Sequence, residues 1–201
     1  MPETRACAKC TPTDNDQRIV KIDGNKATVG YLVSDEDAGP YYFAEPEENG
    51  EYLNFDKRTI HSRDMVEPEE LAQLIADNPG RVFWINKYDH SLVSYYRSGD
   101  ALAAPGGPSR GNVPDAQWDE SRGVALYIAP DDCPDPAAYC DSTMEQFSDW
   151  VNGNIYGVVV ERFTRPDADS EWESDGDEDA CWHYIGTEHA EQSLKEEMGG
   201  A

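Results

Sequence analysis

Net charge is the sequence feature that most limits how this chain can fold. The chain has 41 acidic residues against 16 basic ones, which leaves −25 at neutral pH. Such a surface repels itself, and the repulsion destabilises a compact state at low salt. Hydrophobic residues make up a low 38%, but five Trp and eleven Tyr can bury large areas. We therefore expect a folded protein with polar insertions rather than a disordered chain.

The length of 201 residues suits one domain with a real core. Residues 1–16 are polar and predict a flexible N-terminal tail, which leaves residues 17–201 as a single acidic domain. The five cysteines are an odd number, no apolar segment follows Met1, and no run approaches the roughly 20 apolar residues of a membrane span. These features predict a cytoplasmic protein with reduced thiols and no membrane partner.

Short apolar runs separated by turn residues predict an antiparallel sheet. Gly24-Asn25 is expected to form a hairpin turn, because both residues accept positive φ. The run 155–163 is rich in β-branched residues and is expected to pair with a strand at 181–185. The predicted strands are 18–23, 27–33, 41–43, 52–55, 81–88, 91–96, 124–129, 155–163 and 181–185.

Three helices are predicted, at residues 68–76, 143–151 and 188–198. In the first, Pro68 suits the opening turn, and its apolar residues recur at i, i+3 and i+4. Ser142 and Glu145 have the spacing of a capping box for the second helix. Strands and helices together predict an α+β fold, mostly antiparallel sheet with about three helices packed on it.

The acidic stretch 167–179 is predicted to be a loop at the tip of a hairpin. Asp167, Asp169 and Glu171 alternate as calcium ligands do, and Glu178 stands where a bidentate twelfth ligand would be. Trp172, however, occupies the sixth position, where the sharp turn of a calcium loop needs glycine. A solvated hairpin tip explains any one carboxylate, and an electronegative patch that faces a partner is the preferred functional interpretation.

Cysteine and histidine residues give weak metal and catalytic signals. Cys7 and Cys10 have the spacing of half a zinc knuckle, and Cys133 and Cys140 are the other candidate ligands. Their spacing is poor, so unligated thiols are the expected state and no cofactor is predicted. Asp89-His90-Ser91 holds the residue types of acid–base chemistry, but adjacent residues on a strand face opposite ways, so a turn with a hydrogen-bonded His90 is favoured.

Several segments resemble a pattern found in short phage and mobile-element proteins. They are the segments 88–91, 118–128, 153–161 and 179–186, within a stretch of about residues 83–198. In that family the last segment usually reads Asp-Ser-Cys-Trp-Gly-Phe-Tyr-Gly, from which Ala180, His183 and Ile185 depart. The resemblance implies a phage or mobile-element origin, hence the host cytoplasm, and transfers no catalytic residue.

Three functional hypotheses follow. The first is an inhibitor that mimics DNA: duplex DNA carries two charges per base pair, so 25 charges match about 12 base pairs. It would block the basic nucleic-acid groove of a host defence protein of the restriction or CRISPR type, binding no nucleic acid directly. The second is a halophile-adapted protein of unknown role, and the third is a carboxylate- or metal-dependent hydrolase or nuclease.

We favour the inhibitor, which is not expected to be an enzyme. The sequence leaves its oligomeric state open, with a homodimer as one option. The residues expected to contact the partner are all acidic and fall in four stretches of the chain. They are Asp35, Glu36, Asp37, Glu45, Glu47, Glu48, Glu67, Glu69, Glu70, Asp167, Asp169, Glu171, Glu173, Asp175, Asp177, Glu178 and Asp179.

Overall fold

The computed structural model describes residues 18–36, 50–57, 62–100 and 116–199. The chain divides into two compact units, Met1–Ala38 with Gly153–Ala201, and Gly39–Asn152. The predicted tail 1–16, the strand 41–43, Cys7, Cys10, Asp37, Glu45, Glu47 and Glu48 lie outside the described residues. The single domain expected over 17–201 stays a prediction.

The described residues form eight strands and four helices, which confirms the α+β class. In chain order they are β1 (Arg18–Asp23), β2 (Lys26–Ser34), β3 (Glu51–Asn54), α1 (Pro68–Asp77), β4 (Val82–Asp89), β5 (Val93–Asp100), α2 (Ala116–Asp119), β6 (Glu120–Ile128), α3 (Pro136–Val151), β7 (Ile155–Thr164), β8 (Glu173–Ile185) and α4 (Thr187–Glu197). None of these helices is long and apolar enough to cross a bilayer.

The first unit is an antiparallel sheet of order β1-β2-β7-β8 with α4 packed on one face. Leu32 and Val158 of the sheet pack against Leu194 of the helix, and all three are buried. At the end of the helix, the Lys21 ammonium donates hydrogen bonds to the carbonyl oxygens of Met198 and Gly199. A cation at that end also complements the negative pole of the helix dipole.

The second unit is an antiparallel sheet of order β3-β6-β4-β5 with a helix on each face. Successive residues of a strand point to opposite faces, so Trp84 packs in the cluster with α1 while Ile85 packs in the cluster with α3. Both side chains are buried. Because both faces are covered, β4 is a continuous run of buried residues from Val82 to Lys87.

The predicted Gly24-Asn25 hairpin turn is confirmed, with Gly24 at a φ of 58°. The predicted helix at 68–76 is also confirmed, as α1. The start predicted for the helix at 143 is wrong. α3 begins two turns earlier because Pro136 fits the first turn and the Asp135 carboxylate accepts a hydrogen bond from the Ala138 N–H at 3.1 Å. The proposed Ser142–Glu145 capping box therefore lies inside this helix.

Two strands are also longer than predicted. β6 begins at Glu120 rather than at 124, and β8 begins at Glu173 rather than at 181. The second correction changes the acidic stretch 167–179, because only its first part is a turn and the rest, from Glu173, pairs with β7. Pairing with the β-branched β7 outweighs the low strand propensity of Asp and Glu.

Candidate functional site

The first candidate site is the acidic hairpin, which we define as the β7–β8 turn and the first half of β8, residues 165–179. It contains eight acidic residues. Seven of them have described side chains, and all seven are exposed: Asp167, Asp169, Glu171, Glu173, Asp175, Glu178 and Asp179. The structure therefore presents this predicted group of carboxylates to solvent on one continuous segment.

The turn of the acidic hairpin is held in a defined conformation by local contacts. The Asp167 carboxylate accepts hydrogen bonds from the Asp169 N–H at 3.1 Å and the Ser170 hydroxyl at 2.7 Å, and these bonds lower the pKa of Asp167. The Arg165 guanidinium carbon lies 4.3 Å from the centre of the Trp172 ring, a cation–π contact. The segment with calcium-like spacing therefore forms a turn in which the Asp167 carboxylate accepts hydrogen bonds from the two residues Asp169 and Ser170.

Beyond the turn, the carboxylates lie on β8, an edge strand of its sheet. Asp179 pairs with Arg162 of the neighbouring strand at 2.5 Å. Opposite Arg162, the register shifts between Glu161 and Phe163, and Gly176 takes a φ of 82°. This bulge interrupts the ladder within the acidic segment, which is a common way of preventing an edge strand from pairing with another chain.

The other predicted contact residues are dispersed. The Asp35 side chain is only 7% exposed and lies 3.7 Å from the imidazole of His183, so its carboxylate does not face solvent. Glu36 is exposed. Glu67, Glu69 and Glu70 are exposed at the start of α1 in the other unit, where carboxylates stabilise the helix dipole. Glu70 also pairs with Arg63 at 2.8 Å.

The second candidate site, which the sequence did not predict, is a polar cavity of about 450 Å³ in the unit 39–152. It lies beside the register shift in the β4–β6 pair. The charged and aromatic groups that line it include Asp56, Lys87, Asp89, Trp118, Asp119 and Arg122. A cavity of this volume is within the usual range for sites that bind small molecules, roughly 300–1,000 Å³.

A bulge in the β4–β6 pair shapes this polar cavity. Ile85 pairs with Ala125 but Lys87 pairs with Ser121, so extra residues of β6 loop out opposite the buried Asn86. The Asn86 side-chain oxygen accepts a hydrogen bond from the Gly123 N–H at 2.9 Å, in place of a ladder bond. Gly123 takes a φ of 60°, which glycine adopts without strain.

Charged groups are buried around the polar cavity. The Lys87 ammonium, on a side chain that is 11% exposed, lies 3.5 Å from the Asp56 carboxylate and 3.2 Å from that of Asp89. Burial lowers the pKa of Lys87, but the hydrogen bond to Asp89 and the charge of Asp56 outweigh it and leave the pKa raised. The ammonium therefore stays charged inside the protein.

Two further pairs lie beside the polar cavity. His90 Nδ1 and the Asp119 carboxylate are 2.8 Å apart, which confirms the expected hydrogen-bonded His90. The Glu120 side chain is 2% exposed. Its Oε1 accepts a hydrogen bond from the Tyr96 hydroxyl, and its Oε2 lies 3.1 Å from Arg122 Nε. Residues from the segments 88–91 and 118–124 thus meet at one site.

The cysteines provide little support for a metal site. Cys140 lies on the buried face of α3, and burial raises the pKa of its thiol, while Cys133 is half-buried before that helix. Within the part of the chain that the structure describes, no three His, Cys, Asp or Glu residues are grouped so that they could hold a metal ion.

Comparison with known proteins places the chain in no group. No protein-family model, no curated protein and no solved structure matches it.

Proposed function

We propose that this protein is an acidic inhibitor that binds the basic nucleic-acid groove of a host defence protein, with the acidic hairpin as a principal contact. The observation that supports this proposal is the display of carboxylates along a paired, ordered segment. A flexible acidic tail would lose conformational entropy on binding, whereas a hairpin braced by Trp172 and the Asp167 turn presents its charges in advance.

The charge density of this segment is close to that of a nucleic-acid strand. Five of the seven residues from Glu173 to Asp179 are acidic. Because of the bulge, these seven residues lie opposite only Val160 to Thr164 of β7 and span roughly 14 Å, which gives about one carboxylate per 3 Å. A DNA strand carries one phosphate per 3.4 Å of helix axis. A groove lined with Lys and Arg for DNA can therefore accept this strand with similar electrostatic complementarity.

A second explanation of the same carboxylates is protection of an edge strand. Charged side chains and bulges on an edge discourage pairing with another chain, and β8 has both. The two roles make different predictions. Edge protection predicts aggregation when the charges are neutralised, and partner binding predicts loss of inhibition while the protein stays monodisperse.

The test uses charge reversal with a matched control. The hairpin variant combines Glu171→Lys, Glu173→Lys, Asp175→Lys and Glu178→Lys. The control variant has the same net charge but reverses exposed acids elsewhere, with Asp64→Lys, Asp132→Lys, Glu145→Lys and Glu197→Lys. Purified restriction and CRISPR nucleases would be assayed for DNA cleavage with each protein, and size-exclusion chromatography would report aggregation.

We expect the native chain and the control variant to inhibit cleavage, and the hairpin variant to lose inhibition while remaining monodisperse. Inhibition should weaken steeply with added salt, because both partners are highly charged. Equal inhibition by the hairpin and control variants would show that the acidic hairpin is not the contact surface. Because Lys also protects an edge strand, a neutral hairpin variant with Glu171→Gln, Glu173→Gln, Asp175→Asn and Glu178→Gln tests the other role. Aggregation of this neutral variant would support edge protection instead.

A further inference from the structure

We infer that the polar cavity of the unit 39–152 binds a small organic cation, a guanidinium or primary ammonium group on a short apolar stem. This inference does not depend on the acidic hairpin, which belongs to the other unit. It rests on the charged groups that the fold buries at the polar cavity, on their balance of charge, and on the apolar side chains exposed at the same place.

Stability alone does not account for the groups at this site. Lys87 and the Glu120 side chain are nearly fully buried, and Asn86 is completely buried. Burying ions costs several kcal/mol each unless partners compensate, and an apolar residue of similar size is often at least as stabilising. Buried charge gathered beside an open cavity is more typical of a binding site than of a structural core.

The balance of charge at the polar cavity favours a cation. Three aspartates line it, Asp56, Asp89 and Asp119, against the basic residues Lys57, Lys87 and Arg122. Arg122 is paired with the Glu120 carboxylate at 3.1 Å, and Lys87 lies within 3.5 Å of both Asp56 and Asp89. The lining itself has equal numbers of carboxylates and cations, and the buried Glu120 carboxylate behind Arg122 makes the site negative by one charge. The field of a chain with a net charge of −25 adds to the attraction for a cation.

The apolar side chains at the polar cavity suit the stem and the planar group of such a ligand. Trp118 is 77% exposed and Met65 is 53% exposed, and both line the cavity. An exposed indole attracts a guanidinium or ammonium group through its ring face. Asp119, next to Trp118 in the chain, supplies a carboxylate that can accept hydrogen bonds from the same cation.

Two sources share this chemistry: a free small molecule, and an arginine side chain presented by another protein. Isothermal titration calorimetry on the full chain would use N-butylguanidine as the probe. N-butylurea has nearly the same shape without the charge and is the matched control ligand. A short peptide with an internal arginine, Gly-Gly-Arg-Gly blocked at both ends, separates the two sources.

Butylguanidine should bind with one site per chain, and butylurea at least tenfold more weakly, because hydrogen bonds from a charged donor to a carboxylate are stronger than those from a neutral donor. Asp119→Asn and Trp118→Ala should each weaken butylguanidine binding about tenfold or more. Asp132→Asn, an exposed acid outside the cavity lining, should leave it unchanged. Circular dichroism would confirm that each variant is folded.

Tighter binding of the arginine peptide than of butylguanidine would support a protein side chain as the source. Binding of butylguanidine without the peptide would support a free small cation. Equal binding of butylguanidine and butylurea would overturn the inference, as would no binding of butylguanidine. Unchanged binding by a folded Asp119→Asn variant would also overturn it.

Discussion

Replacing His183 by glycine should stabilise the protein, because His183 has a backbone conformation that suits glycine. Its φ is 70°, and among the described residues it is the one non-glycine residue in the left-handed region. It lies in β8 where the register with β7 shifts, so that two residues, Trp182 and His183, oppose Gly157. The pattern that residues 179–186 resemble has glycine at this position.

The expected gain follows from two opposing contributions. Left-handed backbone costs an L-residue about 1–2 kcal/mol, and His183→Gly removes that cost. Glycine itself destabilises the folded state by about 0.5–1 kcal/mol, because it loses more conformational freedom on folding. The His183–Asp35 contact, 3.7 Å long on a side chain that is 66% exposed, adds little. The free energy of unfolding should therefore rise by about 0–1.5 kcal/mol, and the midpoints of the two ranges give about 0.75 kcal/mol, or roughly 1.5–3 °C in Tm.

Two further variants isolate the backbone effect. His183→Ala also lacks the imidazole but keeps the left-handed strain, so it should be less stable than His183→Gly. Ala180→Gly, at an exposed position of β8 without positive φ, should destabilise by about 0.5–1 kcal/mol. Urea unfolding followed by circular dichroism and Trp emission would measure all three. If His183→Ala were as stable as His183→Gly, the strain argument would be refuted.

Three other predictions concern the cores and the charge. Burial raises the pKa of Cys140, Tyr52 and Tyr127. The unfolded chain therefore releases these protons at a lower pH than the folded chain does, and the Tm should fall as the pH rises above about 8.5. A constant Tm up to about pH 10.5 would contradict this. Asn86→Ala leaves the Gly123 N–H without its acceptor and should lower the free energy of unfolding, measured with urea, by about 1–3 kcal/mol. An unchanged free energy of unfolding would contradict a stabilising role for this hydrogen bond in the bulge. A melt at about 0.1 M salt should be cooperative, whereas unfolding there with rescue by multimolar KCl would favour the halophile hypothesis.

The elements that the sequence predicted well are those with strong local signals. The β1–β2 hairpin has Gly24 at its turn, α1 has an apolar stripe after Pro68, and β7 is rich in β-branched residues. The errors lie where non-local pairing overrides propensity. Residues 173–179 have poor strand propensity and form a strand because β7 provides its partner.

The start of α3 was missed although its signal was present. Asp135-Pro136 is an N-cap followed by proline in the first turn, but the surrounding Asp and Pro residues suggested a loop. The polar cavity was missed for a different reason. Its groups come from the strand end after β3, from β4 and from the α2–β6 segment, and they meet only through the shifted register of β4 and β6.

The acidic hairpin was partly predictable. The density of carboxylates at 167–179 identified the segment, but the sequence did not show that the Asp35 side chain would be buried. Burial of a single residue in a short acidic run depends on the strands that meet around it, and this is not encoded in charge alone. The sequence therefore identifies the acidic segments of the surface, but not which of their carboxylates are exposed.

The measurement that tests the proposed function most directly is the affinity of the native chain and of the hairpin variant for nucleases of the restriction and CRISPR type. Fluorescence anisotropy would follow displacement of labelled duplex DNA from each nuclease at low salt and at several higher salt concentrations. We expect the native chain to displace the DNA, with an affinity that falls as salt rises, and the hairpin variant to fail where the control variant succeeds. Equal displacement by the two variants, or no displacement from any nuclease by the native chain at low salt, would contradict the account.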